Sequence, residues 1–260
     1  MTAIPKRNTD NVISLSVMNG KLSKKKEVRY NKDGSIDKRH SNSVAGVSTE
    51  VYPFNTEEEI KAMIDVFNKR IEEATDDNKR QIACRNKMLF LIGINVGLRA
   101  SDLITLKWIF FLNEDGNFKD FYTLQPKKTR KQKKFVKLYF NQAVKKAVTD
   151  YIEEYPIEDM NEYLFKSRKG DGSISEHALW DIIGKAAIEA GIEKNIGSHS
   201  LRKTFGFWAW HKAEDKNKAL VTLQMLFNHS DTTTTLKYIG ILNSEIEDMF
   251  NTVDLGIDYL

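Results

Sequence analysis

The sequence predicts a mainly α-helical fold with one small antiparallel β-sheet, an α+β arrangement. Several segments carry apolar residues three or four positions apart, as at Ile60, Met63 and Phe67, and this spacing places side chains on one face of a helix. Two short runs, 120–124 and 135–140, combine aromatic and β-branched residues, which favours strands. A lysine-rich segment separates the two runs, so they are predicted to form a β-hairpin with a basic tip.

The first helices are predicted from their termini. Asn55 or Thr56 stands before three glutamates, which is typical of a capped helix with an acidic first turn. A second helix is predicted from about Asn78, and Gly97 ends it because glycine readily adopts the left-handed conformation found after helices. A short third helix is predicted over 101–106.

After the hairpin, helical spacing returns. A short strand is predicted at 162–165. Four further helices are predicted at 143–154, 175–190, 199–212 and 219–227.

The composition excludes several classes of protein. A chain of 260 residues with 41% hydrophobic residues can bury a sizeable core. Its single cysteine, Cys84, allows no intramolecular disulfide and no cysteine-based zinc site, so neither a metal nor a cofactor is expected. The sequence holds no apolar run long enough to span a bilayer and no apolar secretory leader, which predicts a cytoplasmic protein without a membrane partner.

Positive charge is concentrated in two places. The first 40 residues hold ten Lys or Arg against four Asp or Glu, and residues 127–137 hold seven basic residues and no acidic one. Two basic patches indicate a polyanionic partner, most simply double-stranded DNA. We therefore expect a basic, flexible arm over residues 1–50, with a marginal Asp33-Gly34 hairpin, and a folded domain over residues 51–260.

Four local patterns follow one another along the folded domain. They are Gly97-Leu-Arg-Ala-Ser-Asp-Leu, Lys128-Thr in the hairpin, His199-Ser-Leu-Arg202, and His229 nine residues before Tyr238. Each pattern alone is expected by chance at an appreciable frequency, whereas the ordered set is specific.

In this order the four patterns resemble those of the tyrosine recombinase family, the phage-integrase type of site-specific recombinase, from Tyr52 to Phe250. The resemblance implies the catalytic-domain fold of that family over 51–260. It also implies six catalytic residues: Arg99, Lys128, His199, Arg202, His229 and Tyr238. Asp102 takes a supporting acidic position. The remaining basic residues of the hairpin are interpreted as DNA-binding: Lys127, Arg130, Lys131, Lys133 and Lys134.

The chemistry implied by the resemblance is cleavage and rejoining of DNA through a 3′-phosphotyrosyl intermediate, without metal or ATP. Arg99 and Arg202 suit a phosphate because guanidinium groups stay charged and present a planar fork of donors. His229 is expected to donate a further hydrogen bond, and cationic neighbours are expected to favour the phenolate of Tyr238. By resemblance, His199 assists proton transfer at the tyrosine.

Lys128 is by resemblance the proton donor to the 5′-oxygen. Lys127, Lys131 and Lys133 remain alternatives, because a shift of one residue in the hairpin register would turn a different ammonium group inward.

Some features depart from the family pattern or leave a choice open. Asn228 stands where glycine is usual, and Arg130 where glycine is common. The helical core-binding domain that members carry before the catalytic domain is expected to be absent from residues 1–50, which would leave the DNA clamp incomplete. Type IB topoisomerases share the tyrosine, the arginines and the lysine, and they are one alternative. A catalytically silent DNA-binding protein of the same fold is a further alternative.

The end of the chain predicts a tail helix. Its apolar positions follow helical spacing: Leu242, Ile246, Met249, Phe250 and Val253. These apolar positions could be covered in two ways. The helix docks on a neighbouring protomer of a homotetramer, or it packs on its own chain.

Overall fold

A computed structural model describes residues 16–18, 21–23 and 50–252. The chain divides into two units, Met1–Thr49 and Glu50–Leu260. In the first unit, strand β1 (Ser16–Met18) pairs antiparallel with strand β2 (Lys21–Ser23). The hairpin predicted at Asp33-Gly34 lies outside the described residues.

The second unit begins with two long helices whose termini match the predicted signals. Helix α1 (Glu57–Glu72) starts at Thr56, whose side chain accepts a hydrogen bond from the backbone N–H of Glu59 at 3.2 Å. Helix α2 (Asp77–Val96) is capped in the same way by Asp76. It runs through the middle of the core, which explains why its second half is nearly all apolar.

Gly97 ends α2 for two reasons. Its φ of +62° lies in the left-handed region, and a Cβ at this position would stand 2.4 Å from the ring of Phe205. Only glycine satisfies both conditions without strain. The turn at Gly97 leads directly into the segment that carries Arg99.

A short region of mixed structure follows. It contains helix α3 (Ala100–Leu103), helix α4 (Trp108–Phe111), strand β3 (Phe121–Leu124), a 3-10 helix (Lys127–Gln132) and strand β4 (Val136–Tyr139). Strands β3 and β4 pair antiparallel, with Phe121 opposite Tyr139 and Leu124 opposite Val136. The predicted β-hairpin with a basic tip is confirmed.

Six helices complete the described unit: α5 (Gln142–Glu154), α6 (Glu176–Glu189), α7 (Ser198–His211), α8 (Lys216–Phe227), α9 (Thr232–Ile239) and α10 (Ile241–Thr252). The strand predicted at 162–165 is wrong. Tyr163 forms an isolated antiparallel bridge with Lys107, and the residues on either side of it lie in turns and a bend.

The predicted fold class, mainly α with a small antiparallel sheet, is confirmed. Two apolar clusters support it. The large one surrounds α2, and a smaller one consists of Leu223, Phe227, Ile239 and Ile241. A Cβ added to Gly206 of α7 would meet Ile239 at 2.5 Å and Phe227 at 2.9 Å, so this glycine allows α7 to approach α8 and α9 closely. The smaller cluster therefore brings three helices together beside the end of α2.

Within residues 16–18, 21–23 and 50–252, no helix has the combined length and apolar character required to cross a bilayer.

Candidate active site

Two arginines from distant parts of the chain converge on one backbone oxygen. Nη2 of Arg99 donates to the carbonyl oxygen of Phe227 at 3.2 Å, and Nη2 of Arg202 donates to the same oxygen at 3.3 Å. Nη1 of Arg202 also donates to the carbonyl oxygen of Gly97 at 2.5 Å. These bonds use a minority of the N–H donors of the two guanidinium groups, so most donors remain for an anion.

The two arginines differ in burial. Arg202 is only 5% exposed, whereas Arg99 is half-buried. Burial lowers the pKa of Arg202 to about 10, and Tyr238 and Asp102 act in the opposite direction. Arg202 is thus still protonated at neutral pH and is the buried cation of the site.

The ring of Phe227 is the centre of the cluster. The Arg202 Cζ lies 4.2 Å from its centroid, and the rings of His229 and Tyr238 each lie 5.5 Å from it in edge-to-face geometry. The His229 and Tyr238 rings are 5.1 Å apart. The nine-residue spacing of the two residues therefore results in direct ring contact.

The end of α8 places His229 at this position. Asn228 adopts a left-handed conformation with φ of +55°, and the backbone N–H of His229 donates to the carbonyl oxygen of Gln224 at 3.0 Å. Asparagine tolerates this conformation better than most residues. The departure from glycine at position 228 is thus compatible with the turn that the site requires.

Helix α9 carries Tyr238 and is short and well capped. Asp231 accepts hydrogen bonds from the backbone N–H of Thr234 at 2.6 Å and from the hydroxyl of Ser230 at 2.7 Å. Bonds to Ser230 and Thr234 lower the pKa of Asp231 to about 2. Thr235 and Ile239 are the buried residues of this helix, so its polar sequence still presents a face to the core.

Tyr238 is half-buried, and its phenol is not activated by its surroundings alone. Burial raises the pKa of Tyr238, and Arg202 and Arg99 lower it by less than burial raises it. The two arginines do lower the pKa of Tyr238, as expected, but the net pKa is still above its ordinary value. A proton acceptor is therefore needed at this hydroxyl.

Both histidines of the cluster are neutral at neutral pH. Partial loss of hydration is the first cause that lowers the pKa of His199 and of His229, and the charge of Arg202 is the second. His229 is half-buried, whereas His199 keeps an exposed surface. His199 lies in the first turn of α7, three residues before Arg202. A neutral imidazole can accept a proton, which is the role that the resemblance implies for His199.

His229 is oriented by a buried hydroxyl. Its Nδ1 lies 3.1 Å from Oγ1 of Thr235, which is fully buried. If the threonine hydroxyl donates to Nδ1, the neutral ring carries its proton on Nε2 and can donate from there. Oγ1 of Thr235 also lies 3.3 Å from the carbonyl oxygen of Asp231, its alternative acceptor.

Asp102 connects the cluster to the basic hairpin. The carboxylate is 2% exposed, and its Oδ1 accepts a hydrogen bond from the backbone N–H of Lys127 at 2.8 Å. Its Oδ2 is buried and has no hydrogen-bond partner among the described residues. The negative charge of Asp102 favours the protonated form of Arg202, so it supports both the arginine and the start of the hairpin tip.

The hairpin tip lies outside the preformed cluster. Lys128 is exposed and makes no hydrogen bond or ion pair within the part of the chain that the structure describes. The other basic residues of the tip are exposed as well: Lys127, Arg130, Lys131, Lys133 and Lys134. Nζ of Lys134 donates to Oδ1 of Asn228 at 2.5 Å, which places one end of the tip next to His229.

Five of the six predicted catalytic residues therefore come together, and Lys128 does not join them. Three residues of the site were not predicted: Phe227, Thr235 and Lys203. Phe227 lies two residues before His229, and Thr235 lies three residues before Tyr238. Their closeness in sequence to predicted site residues could have identified both of them. Lys203 directly follows Arg202, but nothing in the sequence distinguishes it from other lysines.

No group of three or more His, Cys, Asp and Glu residues in the described ranges is arranged to hold a metal ion.

Comparisons with known proteins agree with this geometry. The family model described as the Phage integrase family matches residues 54–245. A probable integrase/recombinase of Bacillus subtilis (strain 168), YoeC, is 34% identical over 172 residues, which are 65% of this chain and 86% of that protein. Tyrosine recombinase XerD of Staphylococcus aureus is 32% identical over 113 residues, 42% of this chain and 37% of XerD.

Two solved structures share the fold. The XerH site-specific recombinase bound to a palindromic difH substrate matches with a TM-score of 0.55 and 18% identity, over 84% of this chain and 59% of XerH. The XerA recombinase matches with a TM-score of 0.55 and 19% identity, over 79% of this chain and 65% of XerA. The chain thus spans little more than a third of XerD and about three fifths of XerH.

Proposed function

Because this chain belongs to the phage integrase family of tyrosine recombinases, we propose that it cleaves and rejoins DNA at specific sites through a 3′-phosphotyrosyl intermediate. The observation that carries the proposal is the convergence of Arg99 and Arg202 on the carbonyl oxygen of Phe227, beside the rings of His229 and Tyr238. Two cations, a phenol and two neutral imidazoles in one cluster can bind a DNA phosphate, supply a nucleophile and accept its proton.

The phosphate is bound by the two arginines. A DNA phosphodiester carries one negative charge over its two non-bridging oxygens, and this charge increases on those oxygens as the nucleophile attacks. Arg202, held by Gly97 and Phe227, is rigid, so its remaining donors need little reorganisation. Arg99 lies nearer to solvent and completes the clamp when the phosphate arrives.

The cleavage step forms one bond and breaks another. The oxygen of Tyr238 attacks phosphorus, the bond from phosphorus to the 5′-oxygen breaks, and the phosphate becomes esterified to tyrosine at the 3′ side. The phenol proton passes to the neutral His199, and the leaving 5′-oxygen takes a proton from Lys128. The bond energy is retained in the phosphotyrosine, so a 5′-hydroxyl can reverse the step without ATP.

Lys128 reaches the leaving group through a rearrangement of its side chain or of the hairpin tip. Its ammonium group is exposed and lies outside the cluster, whereas the two ends of the tip are tied to Asp102 and Asn228. The exposed cations of the tip attract DNA phosphates. DNA binding is thus the event that brings Lys128 to the 5′-oxygen.

The remaining parts of the chain have roles in the same proposal. Residues 51–260 are the catalytic domain, and the basic residues 1–50 are a DNA-binding arm. The tail helix α10 exposes Ile246, Met249 and Phe250, an apolar surface available to a second protomer. The protein then acts as a homo-oligomer, a tetramer, on two recombination sites.

The proposal is tested with nicked suicide duplexes drawn from the DNA that flanks the coding sequence. Wild-type protein should form a covalent adduct that survives denaturing electrophoresis, and Tyr238→Phe should form none. An adduct from Tyr238→Phe would disprove the assignment of the nucleophile, and the absence of any adduct would favour a DNA-binding protein without catalysis. Relaxation of supercoiled plasmid by a monomer would favour the topoisomerase.

A further inference from the structure

Lys203 is an almost fully buried cation next to the candidate nucleophile. It follows Arg202 in α7 and is only 7% exposed. Its Nζ lies 5.4 Å from the centroid of the Tyr238 ring. Burying an ammonium group is costly unless it is paired, so a lysine in this position requires a specific partner.

The partner is Glu50. Its Oε1 lies 2.9 Å from Nζ of Lys203. Glu50 is the first residue of the described second unit and precedes the region that matches the family model, residues 54–245. The ion pair therefore joins the α7 helix of the family domain to a segment outside the family match.

Backbone contacts hold this segment in place. The side-chain amide of Asn195 donates to the carbonyl oxygen of Glu50 at 2.8 Å, and the backbone N–H of Tyr52 donates to the carbonyl oxygen of Asn195 at 2.9 Å. Further along, the backbone N–H of Phe54 donates to Oγ1 of Thr204 at 2.9 Å. Glu50 is consequently not a free surface carboxylate: the chain around it is fixed to α7 and to the loop before it.

We propose that Lys203 is a positioning residue for Tyr238, and that Glu50 acts as its counter-ion and keeps the ammonium group against the tyrosine ring. This inference rests on the proposed function in so far as Tyr238 is the nucleophile. The ammonium group contributes a cation–π contact that fixes the ring, and it adds a positive charge over the face of the ring that must become anionic. The Glu50 carboxylate offsets part of that charge and sets how strongly the phenol responds to it.

The same charge reaches His199. Lys203 and His199 are four residues apart on α7, and the positive charge of Lys203 is among the causes that lower the pKa of this histidine. Tyr238 therefore faces Arg99, Arg202 and Lys203 as cations and His229 as a neutral ring. Among the described residues, Lys203 is the one of these three cations that has a carboxylate partner within 3 Å.

The test replaces Tyr238 by 3-fluorotyrosine and follows its ionisation by ¹⁹F NMR in the protein without DNA. The fluorinated phenol is more acidic than tyrosine, so it titrates while the protein is still folded. Lys203→Met should raise the titration midpoint by about one pH unit and broaden the signal, because both the charge and the ring contact are lost. Glu50→Gln should lower it by a similar amount, because the lysine charge is no longer offset. Lys203→Arg should restore the wild-type midpoint.

Lys194→Met is the matched control. Lys194 forms an ion pair of 2.6 Å with Glu59, away from Tyr238, so its loss should leave the fluorine titration unchanged. Wild-type midpoints in both Lys203→Met and Glu50→Gln would overturn the inference. Glu50 is partly exposed, so Glu50→Gln remains informative if Lys203→Met does not fold. The titration needs no DNA cleavage, so failure of the adduct assay and failure of this inference are distinguishable.

Discussion

The cluster around Phe227 and the hairpin tip over Lys127–Lys134 carry the same kind of charge in opposite settings. In the cluster, Arg202 is buried and hydrogen-bonded to two backbone oxygens. In the tip, the basic side chains are exposed, and Lys134 has a single contact to Asn228. The first region is rigid before any ligand arrives, whereas the second is held weakly because exposed contacts contribute only about 0–1 kcal/mol.

In the proposed reaction, the two regions have different tasks: the cluster binds the phosphate, and the hairpin tip supplies the proton donor. Groups that bind charge in the transition state gain most from being fixed in advance, because no reorganisation is then needed during the step. A proton donor to the leaving oxygen can arrive with the DNA. In the proposed mechanism, cleavage in the absence of a correctly bound duplex is thereby avoided, because Lys128 makes no contact with the preformed cluster.

The largest effect is expected from Arg202→Lys. Lysine keeps the charge but cannot bind Gly97, Phe227 and a phosphate at once, because it lacks the planar fork of donors. Adduct formation should fall by about 10²- to 10³-fold. The measurement is the single-turnover rate on the suicide duplex. The matched change in the tip, Arg130→Gln, should lower DNA affinity and leave the rate at saturating DNA within about threefold.

A smaller effect is expected from Thr235→Val, which removes the hydroxyl at His229 Nδ1 with little change of volume. The histidine then loses the partner that selects its tautomer and orientation, so the cleavage rate should fall by about tenfold. Thr235→Ser retains the hydroxyl and should stay close to wild type. Equal rates for the valine and serine variants would show that His229 does not depend on this hydrogen bond.

The two histidines should also make the folded state sensitive to acid. Their pKa values in the folded protein lie below the unfolded value of about 6.5. The unfolded chain therefore binds protons first as the pH falls, so this part of the stability is complete above about pH 6.5 and is lost down to the folded pKa values. Urea denaturation at pH 7.5 and 5.5 should show a loss that is smaller in His199→Gln. An undiminished loss in that variant would show that folding does not lower the pKa of His199.

The smallest effect is expected from Asn228→Gly. Glycine accepts the φ of +55°, so the end of α8 is preserved, and only the contact with Lys134 is lost. Tryptic cleavage within residues 127–134, followed by mass spectrometry, should become about two- to fivefold faster. Asn228→Asp keeps an acceptor for Lys134 and should cleave no faster than wild type.

Most of the fold could be predicted from the sequence because its helices carry strong local signals. Thr56 marks a helix start through its side-chain hydroxyl, and Gly97 marks a helix end because the absence of a Cβ permits the left-handed conformation. The strand predicted at 162–165 was wrong because its run of apolar residues contains no information about a pairing partner. Single isolated bridges depend on how distant segments pack.

The cluster was predictable as a set of residues but not as a geometry. The ordered patterns identified Arg99, Arg202, His229 and Tyr238, yet no pattern indicated that a backbone oxygen of Phe227 would connect both arginines. The sequence also could not predict whether the pKa of Tyr238 is raised or lowered. The result depends on whether burial, which raises this pKa, outweighs the charges of Arg202 and Arg99, which lower it.

The most direct test of the central claim compares a normal scissile phosphate with a methylphosphonate, whose linkage is neutral, in the duplex identified by the adduct assay. Arg99→Ala is the suitable variant because Arg99 is only half-buried and makes a single hydrogen bond to Phe227. The variant should cleave the normal phosphate about 10²-fold more slowly than wild type. On the methylphosphonate, the ratio of the wild-type rate to the variant rate should be smaller by about tenfold or more. An equal loss on both substrates would mean that Arg99 does not neutralise the phosphate and that the cluster has another purpose.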